Sequence, residues 1–140
     1  MQAVATWRRG HEILLEDGRA HSVVVDHSPE GGGTSAGTTS LELSVLSLAG
    51  SVTSTFVSLA RKRGLDFSGV KLVLEGELAS LDAGLREIHG TLRVRSRADR
   101  SEVETTLRSA LELAPVGRMF RDARVPVNVI LALTSTVRSP

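Results

Sequence analysis

Cysteine is absent from the 140-residue chain, which excludes disulfides, thiolate metal ligands and thiol nucleophiles together. Aromatic residues make up only 3%, so the interior has to be built from Val, Leu, Ile and Ala. An excess of either charge is also missing. The 17 basic and 16 acidic residues leave a formal charge of +1, too little for a general field drawing nucleic acid or an anionic membrane. The opening MQAVATWRRGHE holds no apolar run of signal-peptide length, so a soluble cytoplasmic protein is expected. A chain of this length is read as a single domain, 1–140, able to bury roughly 70% of its unfolded surface.

What the chain does have is concentrated between Asp26 and Gly64, where a glycine-rich loop feeds into a long helix predicted at 40–63. Thr39 stands three residues before Glu42, the spacing of a capping box, in which hydroxyl and carboxylate satisfy backbone N–H groups at a helix start. Arg61, Lys62 and Arg63 followed by Gly64 close the helix with cations at its negative end. Glu42, Ser44, Ser47, Ser51, Thr53, Ser54 and Ser58 punctuate the helix, so a membrane span is not expected. A helix with so few charges must be enclosed by protein.

Around it, residues 2–9 and 11–16 read as strands broken at Gly10, and 20–26 as a third strand joined through Asp17-Gly18, a pair suited to a tight hairpin. Segments 69–78 and 86–96 alternate apolar and charged residues, the mark of half-buried strands. Ser101 with Glu104 offers a second capping box for a helix at 102–113. Pro115 breaks that helix and opens a short one through Phe120, and 125–136 supplies a last strand. The order is βββ-α-ββ-α-α-β, an α+β fold. One sheet and one further helix cannot cover every face of helix 40–63. The small residues Ser47, Ala49, Gly50 and Ser51 would let the same helix of a second subunit approach closely, so a homodimer with these helices at its centre is expected.

Residue by residue, the chemistry-bearing candidates have plain structural readings. Glu42 is accounted for by its capping position. Ser51 lacks a Gly-x-Ser-x-Gly elbow. The run EGGGTSAGTTS has neither a Gly-Lys-Ser/Thr ending nor a dinucleotide fingerprint, and is expected to be a flexible connection. The histidines 11, 21, 27 and 89 show no metal-binding spacing; His11 and His21 are at most cross-strand neighbours, and no metal or cofactor is expected. Arg93, Arg95 and Arg97, with Arg100 beyond, have no aromatics interleaved, so they read as a solvated strand face pairing with Glu75 and Glu77, not as a nucleic-acid surface.

The element order and two segments resemble the OsmC/Ohr family of organic hydroperoxide reductases. That family carries a motif like GPSPxELLLAALGSC, to which Gly37 through Leu43 and Leu48-Ala49-Gly50-Ser51 correspond. Glu42 matches the family glutamate and Ser51 the first cysteine position. A second family motif resembles CPVxxxL; here it reads Ala114-Pro115-Val116-Gly117-Arg118-Met119-Phe120, with Ala114 at the second cysteine position. The resemblance implies an intertwined homodimer with active sites at the subunit interface. It also implies a thiol cycle through sulfenic acid and disulfide. Serine and alanine cannot run that cycle. Arg19, in its DGRA context, does not fix an alignment with the arginine that the family uses.

The resulting expectation is an OsmC-like protein without thiol peroxidase chemistry. It would bind a small hydrophobic ligand at the dimer interface, near Glu42, Ser51, Ala114, Pro115, Met119 and Phe120. A non-redox enzyme using Ser51 or Glu42, and a hydroperoxide reductase whose two cysteines had been substituted, are the alternatives.

Overall fold

Alternating apolar residues and well-placed turn residues produce the expected element order in the computed structural model, which describes residues 1–79 and 84–135. The chain divides into two compact units, Met1–Ser44 and Val45–Pro140.

In the first unit, β1 (Val4–Arg9), β2 (Glu12–Glu16) and β3 (Ser22–Val25) form an antiparallel sheet in the order β1-β2-β3. A bulge between Trp7 and Arg9 lets the Trp7 indole donate to the Gly10 carbonyl at 3.0 Å. The β2–β3 connection is wider than the expected two-residue hairpin. Gly18 and Ala20 both take left-handed backbone (φ 73° and 68°), and the Asp17 carboxylate accepts from the Arg19 N–H at 2.7 Å and the His21 N–H at 3.3 Å. An aspartate organising backbone two and four residues onward competes successfully with a tight turn.

Helix α1 (Ser40–Lys62) starts in this unit, and its capping box is formed. The Thr39 N–H donates to Glu42 Oε2 at 2.7 Å, and the Glu42 N–H donates to Thr39 Oγ1 at 3.2 Å. Its far end closes on Gly64 (φ 69°), with Leu65 N–H on the Ala60 carbonyl and Gly64 N–H on that of Arg61. Those paired bonds are the Schellman arrangement, in which a left-handed residue satisfies the last carbonyls.

The second unit holds β4 (Phe67–Leu78), β5 (Leu85–Ser96) and β6 (Val127–Ser135) in the order β4-β5-β6. β4 and β5 are antiparallel, while β6 runs parallel to β5. A parallel neighbour requires a crossover. Helices α2 (Arg100–Leu113) and α3 (Pro115–Asp122) supply it. The second expected capping box does not form. Asp99 is the N-cap, without a side-chain cap, and Glu104 instead accepts from Arg100 Nε at 2.6 Å. The i, i+4 ion pair takes the carboxylate that the box would have needed. Phe56 and Ala60 of α1 join Leu92 and Val94 of β5 and Val103, Leu107 and Ala110 of α2 in one buried cluster. Leu48, Val52, Ile88 and Ala114 form the other.

Candidate functional site

The inward stripe of α1, Leu48, Val52, Phe56 and Ala60, recurs every fourth residue and is fully buried. Ser51 lies one residue before Val52 and is half-buried. Its hydroxyl faces the start of α3, whose first turn has a chemical deficit. The N-cap there is Ala114, which offers no side-chain oxygen, and Pro115 at the first helical position has no N–H. Ser51 Oγ makes good the deficit by accepting the Val116 N–H at 3.2 Å, from 65 positions away in sequence. A serine on one helix thus caps another.

The same junction is tightly packed. Ala114 is fully buried. A Cβ at Gly117 would lie 3.2 Å from the Leu111 carbonyl oxygen, a tight approach, and at an ordinary 3.9 Å from Leu48 Cδ1, so glycine eases the close seat of α3 on the end of α2. Beside the junction opens a cleft of about 380 Å³. Its walls include Leu48 and Val52 of α1, Gly117 of α3 and Val127 of β6, and Arg121, Arg124 and Glu112 give it polar groups. Arg121 already donates to the Glu112 carbonyl at 2.8 Å.

Of the residues singled out in the sequence, Ser51 and Ala114 meet at this junction through the start of α3. Phe120 is half-buried and packs on the Leu48–Val52 cluster. Pro115 is exposed, and Met119 is 67% exposed. Glu42 belongs to the capping box, where the Thr39 N–H, the Thr39 side chain and the Thr38 hydroxyl hold its carboxyl below the ordinary glutamate value. None of the six lines the 380 Å³ cleft. Arg121 and Arg124 do, and sequence reasoning passed over them. The one signal was negative: no glycine follows α3, although a helix commonly ends on one.

Three other expectations are corrected. His11 does not pair with His21; it stacks on His27 with ring centroids 4.4 Å apart and planes 6° apart, while His21 Nδ1 contacts Asp17 at 2.8 Å. The β2–β3 register, with Ile13 opposite Val25 and Glu16 opposite Ser22, sets His11 towards His27 and His21 towards Asp17. The glycine-rich loop is not a loose connection, because its backbone N–H groups converge on the buried Asp26. A 3-10 turn at Pro29–Gly31 also lies within it. Finally, Arg93 and Arg95 do not pair with Glu75 and Glu77. The β4–β5 register sets Arg93 opposite Lys71 and Arg95 opposite Gly69, whereas Glu75 faces His89 and Glu77 faces Glu87. Arg97 and Arg100 find Asp66 and Glu104 elsewhere.

Among the described residues, Glu77, Glu87 and His89 bring potential metal-ligating atoms together. Arg86 contacts both carboxylates, so charge neutralisation already accounts for the group. Helix α1 is long and apolar enough to cross a membrane, but its Leu48–Ala60 stripe is part of the protein core.

Similarity to known proteins coincides with this geometry. No curated protein matches the chain. In solved structures the fold recurs in an OsmC-like protein from Mycoplasma pneumoniae, at 15% identity, 95% of this chain, 96% of that one and a TM-score of 0.82. It recurs with a lower TM-score of 0.61 in the organic hydroperoxide resistance protein OhrB of Bacillus subtilis, at 20% identity over 96% of this chain and 98% of that one. An organic hydroperoxide resistance protein OsmC from Legionella pneumophila gives 0.66, at 18% identity and 98% of both chains. The family model described as OsmC-like protein matches residues 31–130, a span that takes in α1 with Ser51, the β4–β5 hairpin, and α2 and α3 with Ala114. On that match, the chain belongs to the OsmC-like protein family.

Proposed function

We propose that this chain is a thiol-free OsmC-like protein that binds a small apolar ligand instead of reducing hydroperoxides. In this reading it acts as a soluble, cytoplasmic homodimer with the α1 helices central. The observation that carries the reading is the Ser51–Val116 hydrogen bond at 3.2 Å. The two motif segments still meet, but a hydroxyl occupied in helix capping stands where redox chemistry would need a thiolate. A hydroxyl forms no sulfenic acid, and Ala114 has nothing with which to resolve one. Nor does Ser51 resemble an activated nucleophile, because among the described residues no histidine or carboxylate hydrogen-bonds its hydroxyl.

The binding reading rests on the adjoining cleft. Apolar walls with a few convergent polar groups are the usual build of a small-molecule site. Arg121 and Arg124 beside those walls suit an apolar body carrying one acidic group. Pro115 and Met119, exposed on α3, would be covered once a second copy docks along α1.

Titration with 8-anilinonaphthalene-1-sulfonate, an apolar anion, tests this. Wild-type protein should show saturable binding at one site per chain. Arg121→Glu with Arg124→Glu should weaken it about tenfold, a change of ~1.4 kcal/mol. Non-saturable binding, or equal binding by the charge-reversed protein, would remove the basis for a ligand site in this cleft. Turnover of an organic hydroperoxide with a dithiol would remove the non-redox reading.

A further inference from the structure

The outer face of the β4-β5-β6 sheet is divided by charge. Its middle row, Val73, Thr91 and Ile130, runs across all three strands in register, and Ile130 is 69% exposed. On one side of that row lie Glu75, Glu77 and Glu87. On the other lie Lys71, Arg93 and Arg95. Each half contains a like-charge pair directly across the strands, Glu77 with Glu87 and Lys71 with Arg93. Like charges placed directly opposite are destabilising. Arg86 relieves the acidic pair. Among the described residues no carboxylate lies within ion-pair distance of Lys71, Arg93 or Arg95.

From this arrangement we infer that the outer sheet face is a self-association surface, occupied by the same face of a second copy of this chain. A two-fold axis lying along the Val73–Thr91–Ile130 row, perpendicular to the strands, reverses strand direction in the partner. Two of the three acidic positions then lie over basic ones, while Glu77 lies over Gly69 and Arg93 over His89. Glu75 meets Lys71, Glu87 meets Arg95, and Ile130 meets Ile130 on the axis. An acidic peptide or nucleic acid would answer only the basic half and leave the acidic half opposed. A second copy answers both, because a two-fold contact uses one patch twice.

The face is small, about 27 Å by 14 Å from strand rise and spacing. The pairing is therefore weak, reversible and salt-sensitive. It is independent of the α1 contact proposed above: if α1 forms a dimer, sheet pairing turns dimers into tetramers, and otherwise monomers into dimers.

Sedimentation velocity across a concentration series tests the inference at about 20 mM and about 500 mM salt. Wild type should show mass doubling that grows with concentration at low salt and disappears at high salt. Ile130→Arg should weaken it about tenfold or more, because it sets a cation against its own copy where an apolar contact lay on the axis. Two charge variants, Lys71→Glu with Arg95→Glu and Glu75→Lys with Glu87→Lys, should each fail to double alone and should associate when mixed. Circular dichroism melting confirms that each is folded. Absence of doubling in wild type, doubling that survives Ile130→Arg, or two charge variants that stay apart on mixing would each overturn the inference. Doubling that instead responds only to substitutions on α1 would assign it to the helix and likewise overturn the sheet contact.

Discussion

Asp26 is 2% exposed, yet its carboxylate receives four hydrogen bonds. The donors are the N–H groups of His27 (2.8 Å), Thr34 (2.9 Å) and Ala36 (3.1 Å) and the Thr34 hydroxyl (2.8 Å). The Ala36 N–H first, then the Thr34 N–H and hydroxyl, hold the carboxyl far below its ordinary value. A carboxylate depressed on folding stabilises the protein above its unfolded pKa of about 3.9, and that contribution is lost as pH falls below it. Thermal melts from pH 7 downward should show wild type losing stability from about pH 4, whereas Asp26→Asn is less stable at pH 7 and flatter through the acid range. Parallel acid profiles for the two proteins would contradict the assignment. None of this network was legible in the sequence. Its donors are mostly backbone groups, which any residue carries, and an aspartate ending a strand looks ordinary. Two glycines make the convergence possible: a Cβ at Gly33 would collide with the His27 carbonyl, and one at Gly37 with the Val24 carbonyl.

Among the elements, two helix ends use the same hydrogen bonds with different residues. α1 turns at Gly64 (φ 69°) and α3 at Arg124 (φ 58°), where Arg124 N–H reaches the Arg121 carbonyl at 2.9 Å and Val125 N–H that of Phe120 at 3.0 Å. Left-handed backbone costs a side-chain-bearing residue about 1–2 kcal/mol and glycine almost nothing. Arg124→Gly should therefore stabilise the protein by ~1 kcal/mol in denaturant unfolding, while weakening probe binding at the cleft that Arg124 lines. A destabilised glycine variant would show that the arginine side chain contributes more to the fold than its backbone strain removes. This contrast also explains what the sequence disclosed about elements. Gly64 and the Thr39–Glu42 pair announced both ends of α1. The same spacing at Ser101 and Glu104 misled, because Arg100 takes the Glu104 carboxylate. The end of α3 had no announcing residue at all. Strand register is likewise hidden in a single chain, and the Arg93–Lys71 pairing depends on it.

For the whole molecule, the element order followed from hydrophobic periodicity, and the meeting of Ser51 with the start of α3 followed from the two motif segments. The cleft did not, since it is assembled from α1, α2, α3 and β6 at positions with no spacing rule between them. The subunit arrangement turns on the outer side of α1, where Leu46 is 59% exposed and Ser47, Gly50, Ser54 and Ser58 are exposed at helical spacing. Gly50 decides whether another copy covers them. A Cβ built there meets nothing within 4 Å in the single chain. In an isolated chain, Gly50→Leu would only improve helix propensity and raise stability by ~0.8 kcal/mol. In a dimer with α1 packed closely on α1, the same leucine blocks the approach, so native mass spectrometry should show monomer and the unfolding midpoint should fall and become less dependent on concentration. The two arrangements give opposite signs for one substitution. A Gly50→Leu protein that is more stable than wild type at every concentration, with unchanged mass, would place the α1 helices outside any subunit contact.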